Sequence, residues 1–413
     1  MQNLILLFLF ILSPSFAQVC APETTLSWIL EEAEVSHPRL LLQRLSLEKL
    51  KASEIEAGKR INPELEHFSV WGKEFAGVQS YQNESRLWFT FQLASKRKKS
   101  LEAWSKETDM AQQEELMLKQ ALLKDLWLNF FRMHQIYGEM KVKNVLMDRL
   151  QKILAKYKQR KFLTPDQTLE ERIFTMVVDN FSLSKAQLER ERIETLEFFR
   201  EITGFKCPIS KIDLEEKKMK WPKAEKLKKL NTYESLNVIL AGYEVEFSKA
   251  KFNLAEAKKV PNLRLSPVVQ NYMNDEVSNT MTGLSFVMPL PFFDTNQTER
   301  TQNLLESKYA QKRLELTKTK DELFFESKIQ KYTIASSVLQ RIDVIDESVR
   351  RFTSLGDAFQ EGKLSISNIV EFCRQLDEIV HRYHSGESVL MTDLMDILEQ
   401  RGRLDRKTLE DLI

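Results

Sequence analysis

The feature that most constrains the fold is one unusual order of elements that occurs twice in the chain. Residues 62–93 and 261–290 each contain two short segments in which apolar and polar side chains alternate, a pattern typical of half-buried β-strands. Sequence typical of helices lies on both sides of each pair. Pro63 and Pro261 hold matching places 198 residues apart. The repeat predicts two halves, each built as a helix, a β-hairpin, a long helix, a reversal and a further helix.

The helical stretches have the periodicity of coiled coils. Residues 97–160 contain no proline, and a helix of about 60 residues would be roughly 90 Å long, more than a globular domain needs. Apolar positions recur there at spacings of three and four, most clearly at Leu146, Leu150, Ile153 and Tyr157. Similar stripes run from Val338 to Phe359 and from Ile366 to Ile397. These two predict an antiparallel coiled-coil hairpin that reverses at Gly362, with Cys373 as a core residue without a redox role.

The alternating segments predict strands with one apolar face. In the second strand of each pair the apolar positions are Leu87, Phe89, Phe91, Leu284 and Phe286. Residues 79–85 and 274–280 are polar and are predicted to be the loops. Because a lone hairpin is unstable and an open sheet edge cannot lie in lipid, closure of these strands requires several chains. Strands of about ten residues with nearby aromatic side chains suit an outer-membrane barrel built by an oligomer. The aromatic residues are Trp71, Tyr81, Trp88 and Tyr272.

The alternative is a soluble periplasmic coiled-coil protein that carries two incidental hairpins and never inserts into the membrane.

Composition argues against other classes of protein. The chain has 61 Lys and Arg against 60 Asp and Glu, a net charge of +1, so no bulk field would gather nucleic acid. It has 11 glycines and lacks the common nucleotide-binding, zinc-protease and serine-hydrolase motifs. We therefore expect no enzymatic activity, no cofactor and no nucleic-acid partner.

One histidine pair has the spacing of metal ligands. His381 and His384 lie three residues apart on a predicted helix, near Asp377 and Glu378. They flank Tyr383 of the apolar stripe, and solvated or intersubunit histidines are the preferred interpretation. No metal site is predicted.

The first residues have the pattern of a signal peptide. An apolar run over residues 4–12 is followed by small residues that end at Ala17, so residues 1–17 are expected to be removed on export. The mature chain is predicted to comprise a first repeat over 18–203, a linker over 204–230, a second repeat over 231–400 and a tail over 401–413. Three interpretations of Cys20 and Cys207 stay open: a disulfide between them, lipidation of Cys20, or two incidental thiols.

Distinct motifs flank the two predicted hairpins. Asn62-Pro63-Glu64-Leu65 and Val260-Pro261-Asn262-Leu263 enter them, Lys96-Arg97-Lys98 follows the first, and Pro289-Leu290-Pro291-Phe292-Phe293-Asp294 with Asn296-Gln297 follows the second. In these motifs and their order the chain resembles the TolC family of outer-membrane efflux channels, especially its CzcC-like heavy-metal-efflux branch. Ala94 and Ser95 depart from the pattern, because the family usually has glycines there.

The resemblance implies a mainly α fold with a small β part: long antiparallel coiled-coil helices and two β-hairpins that form a trimeric α/β-barrel channel. Each subunit of such a homotrimer gives four strands to one barrel in the Gram-negative outer membrane, and its helices form a periplasmic tunnel. The implied activity is passive conduction for a tripartite efflux or type I secretion system. The implied partners are a periplasmic adaptor, an inner-membrane pump of the RND or ABC type, and outer-membrane lipid.

Three sets of site residues follow from the resemblance. Glu371 and Asn368 fall at the constriction, and Gln167 and Glu170 occupy the equivalent places in the first repeat. The adaptor would dock on the two reversals, formed by Lys161, Phe162, Leu163 and Thr164 and by Gly362, Lys363, Leu364 and Ser365. The barrel would turn Leu87, Phe89, Phe91, Leu284 and Phe286 toward lipid.

Overall fold

A computed structural model describes residues 26–73, 79–204, 221–274, 277–292, 295–339, 366–405 and 408. Five expectations lie wholly or mostly outside these residues: the signal peptide over 1–17, the pairing of Cys20 with Cys207, the linker between 204 and 221, the apolar stripe beyond Leu339, and the reversal formed by Gly362, Lys363, Leu364 and Ser365. Within the described part, the helices and strands follow one order twice. The elements of the first half are α1 (Leu26–Ser36), α2 (Pro38–Ala57), β1 (Glu64–Lys73), β2 (Gln79–Phe91), α3 (Lys96–Lys158) and α4 (Pro165–Ile202).

The second half repeats the order of helix, two strands and long helices. Its elements are α5 (Ala224–Lys228), a short 3₁₀ turn (Lys229–Thr232), α6 (Leu236–Lys258), β3 (Leu263–Asn274), β4 (Ser278–Val287), α7 (Gln297–Leu339) and α8 (Ile366–Gln400). None of the described helices contains a stretch long and apolar enough to cross a membrane.

The two hairpins join into a single antiparallel sheet of order β1-β2-β3-β4. Strands β2 and β3 pair directly, with Phe89 opposite Leu265 and Tyr81 opposite Met273. Within the described chain, β1 and β4 therefore each have a neighbouring strand on one side only.

The predicted hairpin loops were wrong in extent. Residues 79–85 form the first half of β2, and Ser278 to Thr280 begin β4. These polar residues remain extended because their backbone groups pair with neighbouring strands. The first half of β2 lies between β1 and β3, so that Asn83 is opposite both Ser69 and Asn271, and the start of β4 pairs with β3. Their side chains are half-buried or exposed, and their polarity does not mark the end of a strand.

The described residues fall into two compact units. One takes the residues numbered up to 38, from 129 to 218 and from 345 to 381, and the other takes the rest. The core of the first unit is a contact of α3, α4 and α8, and it contains the predicted stripe of α3 and the first part of the predicted stripe on α8. Its buried residues include Leu146, Leu150, Ile153, Tyr157, Phe174, Val178, Phe181, Ile369, Cys373, Leu376 and Val380. Cys373 is completely buried, as expected for a core position.

The second unit holds the sheet and a charged cluster between helices. The Lys124 amine lies 2.6 Å from Asp396 and 2.8 Å from Glu399, and the Lys328 amine lies 2.6 Å from the other Asp396 oxygen. Asp396 on α8 thus links α3 to α7. Burial opposes ionisation of Asp396, but hydrogen bonds from Lys124 and Lys328 outweigh it and lower its pKa.

Candidate functional surfaces

The sheet has one face that is rich in apolar side chains, called the apolar face here. Direct cross-strand partners point to the same face, so the pairs Leu65 with Leu87 and Leu265 with Phe286 define it. All five residues predicted to face lipid lie on it and are exposed: Leu87, Phe89, Phe91, Leu284 and Phe286. Leu284 is 75% exposed and Phe286 is 72% exposed. Such exposure of large apolar side chains marks a surface for lipid or for another protein.

The apolar face has aromatic residues near both ends. Phe89, Phe91 and Phe286 lie beside the strand ends that join the helices, and Trp71 pairs with Tyr81 near the hairpin loop. Ten residue steps separate Phe91 from Tyr81, about 34 Å along the strand, or roughly 26 Å if the strand is tilted by about 40°. This agrees with the apolar band of about 25 Å in outer-membrane barrels.

A few polar side chains interrupt the apolar face, and they form hydrogen bonds with one another. The His67 Nδ1 lies 2.9 Å from the Ser85 hydroxyl, and His67 Nε2 lies 2.9 Å from the Ser69 hydroxyl. The Ser69 hydroxyl is also placed to donate to Asn83 Oδ1 at 2.7 Å. These mutual bonds reduce the cost of placing polar groups on an otherwise apolar face.

The opposite face, called the charged face here, carries the acidic and basic strand residues other than Lys73. These are Glu64, Glu66, Glu84, Arg86 and Arg264. Arg264 donates to Glu64 at 2.6 Å, and Arg86 pairs with Glu84. This face also carries Phe68, Val70, Met281 and Val287, so the two faces differ in where the charges lie, and with the exception of Lys73 the described strands have no Asp, Glu, Lys or Arg on the apolar face. Confinement of charge to one face is what a wall between lipid and a polar interior requires.

Two of the four aromatic residues assigned to the membrane interface belong to this charged face. Trp88 and Tyr272 alternate with Leu87 and Asn271 and so lie opposite the apolar face. Trp88 is only 6% exposed because the Arg264 guanidinium lies 4.8 Å from its ring centre and Arg86 lies 6.0 Å away. Sequence reasoning missed its role, although its place between Arg86 and Thr90 in the alternation was a usable signal.

The chain leaves the strands through backbone conformations that favour glycine. Ala94 and Ser95 both have φ of 56° between β2 and α3, and Asn296 has φ of 59° just before α7. The two residues that depart from the TolC pattern therefore adopt a conformation that glycine reaches without strain. Lys96 donates to Asn262 Oδ1 at 2.6 Å, which ties this exit to the entry of β3.

The reversal between α3 and α4 is short and well capped. The Thr164 hydroxyl accepts from the Gln167 backbone, and the Gln167 side chain accepts from the Thr164 backbone, a reciprocal capping box with Pro165 in the first turn. Leu163 packs against the three-helix core, whereas Phe162 is 91% exposed and Lys161 is exposed. The reversal thus presents an aromatic ring that contributes little to the core.

The predicted constriction residues lie on the exposed side of α8. Asn368 and Glu371 flank the buried Ile369. Glu371 accepts from Arg374 at 2.6 and 2.9 Å and from Gln375 at 2.8 Å. Mainly because of the Arg374 bonds, the pKa of Glu371 is lowered to about 2. Its carboxylate is therefore charged at neutral pH but is matched by a cation on the same helix.

The equivalent residues of the first repeat have local partners. Gln167 belongs to the capping box, and Glu170 accepts from the Tyr157 hydroxyl at 3.0 Å. The histidine pair is divided, because His381 is exposed while His384 is buried with Nδ1 3.1 Å from Glu387. Across the described ranges, no group of three or more His, Cys, Asp or Glu side chains is arranged to hold a metal ion.

Solved structures share this fold. No protein-family model matches the chain, and no curated protein sequence does. The outer-membrane protein VceC of Vibrio cholerae matches with a TM-score of 0.72 at 11% identity, over 91% of this chain and 96% of VceC. The MtrE outer-membrane channel of Neisseria gonorrhoeae, in its open state, matches at 0.70 and 12%, over 92% and 90%. The Campylobacter jejuni CmeC outer-membrane channel matches at 0.69 and 10%, over 94% and 88%.

Proposed function

We propose that this chain is the outer-membrane exit duct of a tripartite efflux or type I secretion system, a passive channel of the TolC type. The chain has the fold of such channels over nine-tenths of its length. The observation that carries the proposal is the four-stranded sheet, which has an exposed apolar face, a charged face and, among the described strands, an unpaired edge on either side. A sheet with these properties is incomplete in a single chain.

Closure of the sheet suggests the oligomer. In lipid every backbone donor and acceptor needs a partner, so the outer edges of β1 and β4 must be covered. Pairing of β4 with β1 of the next copy would cover both edges, and three copies of four strands would form a barrel of twelve. The apolar face would then contact lipid and the charged face would line the pore. The homotrimer is thus the assembly that we propose.

The remaining parts of the chain are assigned by the same scheme. Residues 1–17 would direct export, and the repeats over 18–203 and 231–400, joined by 204–230, would each supply one hairpin and part of a periplasmic helical tunnel. The carboxylates of Glu371, with Asn368, would narrow the tunnel. A pump in the inner membrane would supply the energy, so the duct itself needs neither a cofactor nor catalytic residues.

Membrane fractionation tests the duct against the soluble alternative. We expect the chain in the outer-membrane fraction of Gram-negative cells, as a trimer in detergent that collapses to a monomer only on heating, and as discrete conductance steps in planar bilayers. A soluble periplasmic monomer would instead support the coiled-coil structural protein.

The exposed reversal is the proposed adaptor site. Phe162 contributes little to folding because it is 91% exposed, so F162D should leave the trimer and its melting temperature unchanged. We expect F162D to lose the adaptor and pump that otherwise co-purify with the trimer from crosslinked cells. The matched control is M176D, an exposed position about three turns past the start of α4 at Pro165. Equal recovery of adaptor with both variants would argue against docking at this reversal.

A further inference from the structure

The charged face of the sheet is not electrically balanced. Its described residues include three acids, Glu64, Glu66 and Glu84, and two bases, Arg86 and Arg264, an excess of one negative charge per chain. Glu64 is neutralised by Arg264 and Glu84 by Arg86. Among the ion pairs formed within the described residues, none includes Glu66. Glu66 lies directly opposite Arg86 in the pairing of β1 with β2, but the Arg86 guanidinium pairs with Glu84, so the excess negative charge of this face is placed at Glu66.

Glu66 is held in place by a neutral donor. The Trp88 indole N–H donates to Glu66 Oε2 at 2.7 Å, across the β1–β2 pair. The indole is itself immobilised, since the Arg264 guanidinium covers its ring and leaves 6% of the residue exposed. The carboxylate stays exposed while its position is set by a rigid ring. A charge fixed in this way acts at a defined point, unlike the charge of a freely rotating surface side chain.

We propose that Glu66 determines which sign of ion or solute the duct favours at the level of the sheet. This inference rests on the proposed trimeric channel. Three copies place three water-facing carboxylates around one axis, while the compensated pairs Glu64 with Arg264 and Glu84 with Arg86 largely cancel. Low-dielectric walls focus the field of such a ring into the pore. The duct therefore favours cations and cationic solutes, and Trp88 is the positioning residue.

Ion preference of the purified trimer in planar bilayers tests this assignment. A KCl gradient near 0.1 M keeps the Debye length at about 10 Å, so fixed charges are not fully screened. We expect the parent channel to prefer cations and Glu66→Gln to lower the cation-to-anion permeability ratio by about two-fold or more. The amide oxygen of Gln can still accept from Trp88, so assembly should be retained. Glu66→Lys should favour anions, and the matched control Glu48→Gln, an exposed acid on α2, should behave as the parent.

A trivalent probe separates this ring from a constriction in the tunnel. Hexaamminecobalt(III) added on the side of the hairpin loops should block the parent channel, block Glu66→Gln less, and block Glu371→Ala like the parent. Trp88→Phe retains the charge but releases the carboxylate, so it should keep the cation preference and weaken this block. Heat-modifiable migration verifies that each variant forms trimers.

The outcomes distinguish the two proposals. If the parent chain forms no trimeric pores, the channel function itself is wrong. If pores form and Glu66→Gln and Glu66→Lys both keep the parent's ion preference and block, the channel stands and the assignment to Glu66 is overturned.

Discussion

Ala94 and Ser95 show that this sequence accepts local strain where the chain leaves the sheet. Their φ of 56° costs an L-residue roughly 1–2 kcal/mol relative to an ordinary conformation. The turn must nevertheless be sharp, because β2 ends at Phe91 and α3 begins at Lys96. The strain is therefore imposed by the connection and not by the side chains themselves.

Glycine at either position should relieve this strain. Glycine also increases the conformational freedom of the unfolded chain, and this opposes part of the gain. As the net effect we expect Ala94→Gly and Ser95→Gly each to stabilise the protein by roughly 0.5–1 kcal/mol. Thermal unfolding in detergent measures the effect. As a control of opposite sign, Ala52→Gly in the exposed interior of α2 should destabilise by about 1 kcal/mol. Lower melting temperatures for both exit variants would contradict the strained conformation.

Cys373 should be inert in the folded protein. Burial, reinforced by the negative charge of Asp377, raises the pKa of its thiol to about 12. The reactive thiolate is therefore scarce even at pH 9, and the three-helix core blocks access. We expect maleimide to modify the peptide that contains Cys373 only after denaturation. An introduced thiol at Ile379, an exposed position on the same helix, should be labelled in the native state; equal labelling of both would mean that the core opens.

At the scale of elements, the sheet joins the alternating patterns of two hairpins that lie far apart in the sequence. The alternation in each strand predicts a face, but the pairing of β2 with β3 is what unites the apolar residues of both hairpins on one surface. Because a one-residue shift would move every side chain of a strand to the other face, the observed register decides which side chains share the face that we propose meets lipid.

Arginine substitutions on adjacent residues test the direction of the faces. Leu284→Arg places a charge on the apolar face and should cost roughly 2–4 kcal/mol near the membrane midplane, whereas Ser285→Arg on the charged face should be tolerated. The yield and heat stability of folded trimer measure the difference. Thr90 is a poorer control than Ser285, because it lies directly opposite Arg264 and an added arginine would be repelled. Equal losses at 284 and 285 would mean that the faces are assigned the wrong way.

At the scale of the whole molecule, the proposed duct has two acidic levels of different character. Glu66 in the sheet is held by a neutral indole, while Glu371 on α8 is paired with Arg374, which also lies 3.5 Å from Glu378. A ring of paired carboxylates contributes less net field than its number of acids indicates. The proposed constriction would therefore be a weaker cation filter than the sequence pattern by itself predicts.

Glu371→Ala should still be detectable, because it leaves Arg374 as an excess positive charge. We expect lower cation preference and weaker divalent block from the periplasmic side, with a smaller effect for Glu170→Ala. Removing both charges in Glu371→Ala/Arg374→Ala should restore values near those of the parent. If all three variants conduct like the parent, the narrowest point lies elsewhere.

The same contact predicts a pH dependence. A pKa lowered to about 2 means that the Glu371 charge is present above that pH and is lost only below it. Its contribution to divalent block should therefore be unchanged as the pH falls from 7 to 4, a range in which an unpaired glutamate would begin to protonate. Weakening of the block by pH 4 in the parent, but not in Glu371→Ala, would show that the Arg374 pair is open in the trimer.

The sequence by itself determined the helices, the heptad cores and the existence of apolar and polar strand faces. These features depend on side chains a few residues apart, such as Leu146, Leu150 and Ile153, whose spacing sets which face of a helix is buried. The capping of α4 by Thr164, with Pro165 in its first turn, depends on residues equally close in sequence.

Only the tertiary structure decided which distant residues meet. The polar residues 79–85 are part of a strand because neighbouring strands form hydrogen bonds with their backbone. Trp88 holds Glu66 in place because the pairing of β1 with β2 brings the two side chains together. Likewise, Arg264 covers that ring from a strand whose sequence lies 176 positions away. Periodicity reports the direction of a side chain relative to its own backbone, whereas charge compensation and burial depend on partners that the fold brings from elsewhere in the chain.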